Sequence, residues 1–356
     1  MRPLLFSLLL VHAVTAAGAE PSRPAAAVLP IAIPGGEAGV GYDDVQYAPV
    51  LRRVLVPAGR TGTLALIDPA TGAVTTIGGF TGASSYRGGH GQGTTSAAEL
   101  TGWPGFVVAT DRGATALRVV DARAGKLTQT VKLAAPPDYV RVVATSREVW
   151  VTEPARKQLE VLRIQGTDAP RLVAAETISV PDGPESLAID ATRGKAYSHG
   201  WKDHSFAIDL TTRKVVTSWA NGCRGARGIA LDEGRGLLFA GCAEGKATVV
   251  DLATHKLVAT AGTGPDVDSI AYAPTSGHAA GAGRLYVPSG GSAQLWILGV
   301  GTGGTLTMLG TLPTARDAHT VAVVPGAHGS PSLFVGTPEH GAVLRLAEPV
   351  AAPTTP

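Results

Sequence analysis

Four segments of the chain align on one another without gaps: LIDPATGAV (66–74), VVDARAGKL (119–127), AIDLTTRKV (207–215) and VVDLATHKL (249–257). Each is a short apolar run ending in Asp, then a polar turn, then a second run. Such a recurrence means one supersecondary unit stacked many times along the chain. The Asp carboxylate can accept hydrogen bonds from the turn's backbone N–H groups, so Asp68, Asp121, Asp209 and Asp251 mark hairpins and not chemistry. Asp121 and Asp209 stand two periods apart, and a diverged copy, VWVTEPARKQLEVLRI (149–164), fills the interval.

A second recurring piece, an alternating strand behind a polar loop, comes before these hairpins: DDVQYAP, DYVRVVA, ESLAIDA, RGIALDE, DSIAYAP and HTVAVVP. Its first large apolar residues are Val45, Val140, Leu187, Ile229, Ile270 and Val321, and GTTSAAEL near Thr95 supplies the missing member, which makes seven units. Period-two alternation and frequent turn residues predict four short strands per unit, and helical periodicity is found nowhere over ten residues. The 46 glycines and 25 prolines among 356 residues supply those turns. The expected fold is all-β, a seven-bladed β-propeller of four-stranded antiparallel blades. The last unit (318–348) has only three strands, whereas VLPIAIPGG (28–36) stands alone before the first. Pairing Val28–Ile33 with Gly341–Leu346 would close the ring and remove its exposed sheet edges.

Ahead of the propeller (28–348), Arg2 is followed by an apolar stretch from Leu4 to Val14 and by Ala17-Gly18-Ala19, the pattern of a secretory signal peptide over 1–19. Residues 20–27 read as a flexible leader and 349–356 as a disordered tail. No run is long enough to span a bilayer, so the expectation is an exported protein, periplasmic or extracellular, and a monomer. The formal net charge of +2 gives no bulk field toward nucleic acid or an anionic membrane.

RVLVPA (53–58), LLFAGC (237–242) and RLYVPS (284–289), each followed by an ID-type turn or its equivalent, resemble the second and third strands of the YVTN-type bacterial exported seven-bladed propellers. The resemblance covers 28–348 and implies the fold. It implies little chemistry, because relatives of this fold include binding proteins, lactonases and domains of redox enzymes.

In a four-stranded blade the lead-in loop of the inner strand and the loop between the second and third strands share one face, at the mouth of the central channel. Two residues before each inner-strand marker stand Asp43, Asp138, Glu185, Arg227, Asp268 and His319. These are expected to ring the mouth, inside a rim that includes Arg60, Arg112, Arg156, Lys157, Lys202, Lys246 and His340. Asp43, Asp138, Glu185, Asp268 and His319 together form a candidate set for a divalent cation such as Ca²⁺ or Mg²⁺; a salt-bridged network is the alternative. His90, His199 and His204 fall on the same face. Trp201, in HGWKDH (199–204), is a candidate ligand platform. SSYRGGHGQGTTSAAE (84–99) breaks the repeat around His90, and long loops in compact repeats often carry function. Cys223 and Cys242 are expected to form a disulfide in an oxidising compartment. The chain contains no CxxC, HExxH or GxSxG, and its one asparagine, Asn221, argues against a lactonase of the Glu/Asn/Asp type. The leading expectation is therefore a non-enzymatic propeller that binds a small ligand or a partner protein at the channel face. The alternative is a metal-dependent hydrolase or lactonase.

Overall fold

The computed structural model describes residues 28–274, 282–326 and 331–348; the expected signal peptide, leader and tail lie outside them. Seven four-stranded antiparallel sheets account for the strands of the described residues. Strand β1 spans Val28–Ala32. The six blades that follow are β2–β5 (46–77), β6–β9 (97–132), β10–β13 (140–179), β14–β17 (188–220), β18–β21 (226–262) and β22–β25 (271–313). The seventh is built from β26 (Val321–Val324), β27 (Ser332–Thr337), β28 (Ala342–Ala347) and, on its outer edge, β1. Inner strands touch in the order β2, β6, β10, β14, β18, β22, β26 and back to β2, so the ring is closed. The fold is a seven-bladed β-propeller.

Alternation explains why these strands stack as blades. In Arg53–Pro57, Val54 and Val56 point into a buried cluster with Phe334 and Val343 of the seventh blade. Leu55, between them, points the other way, into a cluster with Val107 and Val120 of the second. Tyr286 likewise packs against Val321 and Leu333 of the seventh blade, while Leu285 and Val287 meet Phe239 and Val249 of the fifth. Each blade has two apolar faces and neither can stay wet, so the sheets stack until the ring closes.

The four expected hairpin turns form as argued. Asp68 Oδ1 accepts from the N–H groups of Ala70 and Thr71, and Asp121, Asp209 and Asp251 do the same two and three residues on. Cys223 and Cys242 form a disulfide in a buried cluster with Ala226 and Ala240. Cys242 is the last residue of the second strand of its blade (Leu237–Cys242) and not part of the following loop.

Candidate functional site

Several lead-in loops are bonded to a neighbouring blade, which fixes where their polar side chains point. Asp44 N–H donates to the Thr95 carbonyl, Val140 N–H to Ser96 Oγ, Ser269 N–H to the His319 carbonyl, and Val45 N–H to Thr320 Oγ1. The collar brings residues from all seven blades to one mouth. Asp43, 1% exposed, is buried there with Asp138 and Glu185.

The acids are partnered one by one. Arg112 Nη1 lies 2.5 Å from Asp138 Oδ1, and Arg227 Nη1 lies 2.7 Å from Glu185 Oε1. His90 stands between the other two, with Nδ1 2.8 Å from Asp43 Oδ2 and Nε2 3.6 Å from Asp268 Oδ2. Its ring meets that of His319 edge-on at 5.5 Å, and His319 Nε2–H donates to the Tyr42 carbonyl at 3.0 Å. The loop over 84–93 therefore delivers His90 onto the mouth. It can lie so close because of glycine: a Cβ on Gly41 would come within 2.5 Å of the Gly89 carbonyl oxygen, and one on Gly93, whose φ is +70°, within 2.0 Å of that of Gly59.

The electrostatics follow from burial and crowding. Burial pushes the Asp43 carboxyl well up, and the charges of Asp138 and Asp268 add to it while His90 opposes. The Asp43 charge raises His90 to about 10 against the effect of burial. Glu185 is pushed up to about 7, first by burial and then by Asp138 and Asp268, with Arg227 opposing. Buried atoms without hydrogen bonds gather here: both Asp43 carboxylate oxygens, Glu185 Oε2, Ser186 Oγ and the Tyr139 hydroxyl. Such a set around one opening is the lining of a polar seat.

Trp201 is 47% exposed, and the Arg227 guanidinium lies over its ring, 4.7 Å from the centroid. Glu185 holds Arg227 from the other side, so ring and cation form a fixed shelf at the mouth. Other sequence candidates do not join it. His199 ends a strand (Lys195–His199) and is buried, with Nδ1 2.8 Å from Ser205 Oγ; burial lowers its pKa to about 4. His204 opens the next strand and is exposed. Arg60 is no rim cation: it is buried and donates to the carbonyls of Gly35 and Gly39.

A further pair, at positions outside the ring of marker residues, lies within the channel. Arg141, on the inner strand of the third blade, clasps Asp44 of the first with contacts of 2.5 and 3.1 Å. The sign was the doubled acid Asp43-Asp44, where the other units carry Tyr139, Ser186, Gly228, Ser269 or Thr320 at the second position. The channel encloses a cavity of about 490 Å³ lined by Val45, Leu187, Ile229, Ile270 and Val321.

No protein-family model matches the chain, and no curated protein matches it. Solved structures do match in fold. A chain of a structure described as the crystal structure of a mitotic checkpoint complex superposes with a TM-score of 0.69 at 15% identity, covering 98% of both chains. One of Kuenenia stuttgartiensis hydrazine synthase superposes with a TM-score of 0.69 at 13% identity, covering 88% of this chain and 97% of that one. At these identities the likeness is one of fold.

Proposed function

We propose that this chain is an exported propeller that binds a small ligand or a partner protein at the lead-in face of its channel. The observation that carries the reading is the Trp201–Arg227 shelf, anchored on buried Glu185 beside a mouth of unbonded polar atoms. An exposed indole held rigid next to unmet hydrogen-bonding groups offers a ligand area at small entropic cost. A partner protein on this face is the second form of the reading, and a propeller of the same fold occurs in a mitotic checkpoint complex. The Cys223–Cys242 disulfide supports export, because such bonds persist in oxidising compartments.

The test is a thermal-shift scan of the purified chain against free amino acids, carboxylates, nucleosides, monosaccharides and tripeptides, repeated with Trp201→Ala. The reading expects at least one class to raise the melting temperature of the parent saturably and to leave the variant unmoved. No shift with any class, together with unchanged Trp emission, would remove the small-ligand form. A metal-dependent hydrolase is the alternative, favoured by one observation: His90, Asp268 and His319 each offer a ligand atom within 4.8 Å of the other two.

A further inference from the structure

The two imidazoles at the mouth are arranged alike. His319 Nε2 faces the Tyr42 carbonyl, which can only accept, so this nitrogen carries the hydrogen and Nδ1 carries the lone pair. His90 Nδ1 faces the Asp43 carboxylate, which leaves Nε2 toward Asp268. Each ring thus has one nitrogen committed to an acceptor, and a metal ion would take the place of the proton on the other, the state in which histidine ligates a metal. Around a tetrahedral ion with bonds of about 2.0–2.1 Å, ligand atoms stand roughly 3.4 Å apart. The His90 Nε2 to Asp268 Oδ2 separation is 3.6 Å, and one ligand atom from each of His90, Asp268 and His319 lies within 4.8 Å of the other two.

An independent observation points the same way. Asp43 is 1% exposed, and its Oδ2 lies 2.8 Å from His90 Nδ1 without hydrogen-bond geometry, while its Oδ1 has no partner. A buried carboxylate so placed lacks a strong donor. An imidazole polarised by a cation on its far nitrogen is one.

We propose that His90, Asp268 and His319 form a binding site for a divalent transition-metal ion of the zinc class, with Asp43 and the Tyr42 carbonyl orienting the two imidazoles. Two nitrogens and one oxygen select such an ion over Ca²⁺ or Mg²⁺, which prefer oxygen alone. Asp138 and Glu185 stay outside the site, tied to Arg112 and Arg227. Three protein ligands leave a further position for water or an incoming ligand atom. The ligands come from the second, sixth and seventh blades, so the ion would also tie three lead-in loops together. The inference stands on its own geometry and goes beyond the binding role proposed above.

The test uses the untagged chain, stripped with EDTA and titrated with Co²⁺ followed by visible absorption, then with Zn²⁺ by calorimetry. One equivalent per chain is expected, with ligand-field bands of a low-coordinate site that Zn²⁺ abolishes. His90→Ala and His319→Ala should each weaken Zn²⁺ binding by about 100-fold or more, and Asp43→Asn by about 10–100-fold while keeping the bands. Asp268→Asn is the variant to use if a histidine variant loses its native circular dichroism. Trp201→Ala should retain full uptake, so failure of this site and failure of the ligand shelf are read separately. Substoichiometric uptake by the parent, uptake of Ca²⁺ but not of Zn²⁺, or uptake unchanged in both histidine variants would overturn the proposal.

Discussion

Val28 stands opposite Leu346 in an antiparallel ladder that continues through Ala32 and Ala342, so the first described strand completes the last blade. Ile33 N–H extends the seam by donating to the Gly341 carbonyl at 2.9 Å. Deleting residues 28–36 would leave β28 as an open edge and take Ile33 out of the buried cluster it shares with Val54 and Phe334. Such a truncation should lower the melting temperature by about 10 °C or more and promote association. Circular-dichroism melts and light scattering read both effects; a truncated chain as stable as the parent would show that the seam does not hold the ring.

The fold was legible because its chemistry is local and repeated: each Asp turn is satisfied within three residues, and alternation alone assigns the two apolar faces. The mouth was legible as a ring of positions and not as a set of pairs. Arg112 reaches Asp138 of the next blade, and Arg227 reaches back to Glu185 of the preceding one, and no spacing rule says which cation meets which acid. His199 falls on the expected face but ends a strand beside Gly200 and Trp201, where a boundary shift of one residue separates an open position from a buried one. His90 was flagged by its glycine-rich loop, but the direction of that loop depends on Gly41 and Gly59 in the first blade, which no local signal connects to it.

The disulfide closes a loop with a sequence separation of 19, for which chain entropy predicts roughly 3 kcal/mol of stabilisation. The Cys223→Ser, Cys242→Ser double variant should lose about that much in urea melts. Non-reducing peptide maps of the chain produced in an oxidising compartment should show the two linked. Two alkylatable thiols in that preparation would refute the bond.

Gly41→Ala tests how the His90 loop is seated. Its new Cβ would meet the Gly89 carbonyl oxygen at 2.5 Å and the His90 Cα at 3.0 Å, backbone atoms that can yield only if the loop moves. Trypsin should then cut after Arg87 about tenfold faster or more, which corresponds to about 1.4 kcal/mol of local opening. Gly91→Ala, with nothing within 4 Å, is the control and should cut like the parent. Equal rates in all three would mean that the loop does not depend on close approach to Gly41.

Glu160 and Glu153, on facing strands of the third blade, make stability depend on pH away from the mouth. Glu160 accepts from the Ala134 N–H at 2.8 Å and Glu153 from the Ala135 N–H at 2.9 Å. Burial raises Glu160 to about 7, with the Ala134 N–H opposing and Glu153 adding. A carboxyl raised on folding binds its proton more tightly in the native state than in the unfolded one. Its contribution is therefore present in full below the ordinary Glu range, near pH 4, and is lost as pH rises through about 7. Glu160→Gln keeps an oxygen for the Ala134 N–H and gives Glu153 a neutral N–H donor, mimicking the protonated form at every pH. The variant should be more stable than the parent at pH 8 by roughly 1–3 kcal/mol, and equal to it near pH 4.5. Urea melts at the two pH values decide the matter: a variant no more stable at pH 8 would mean that Glu160 is ionised in the folded chain without penalty.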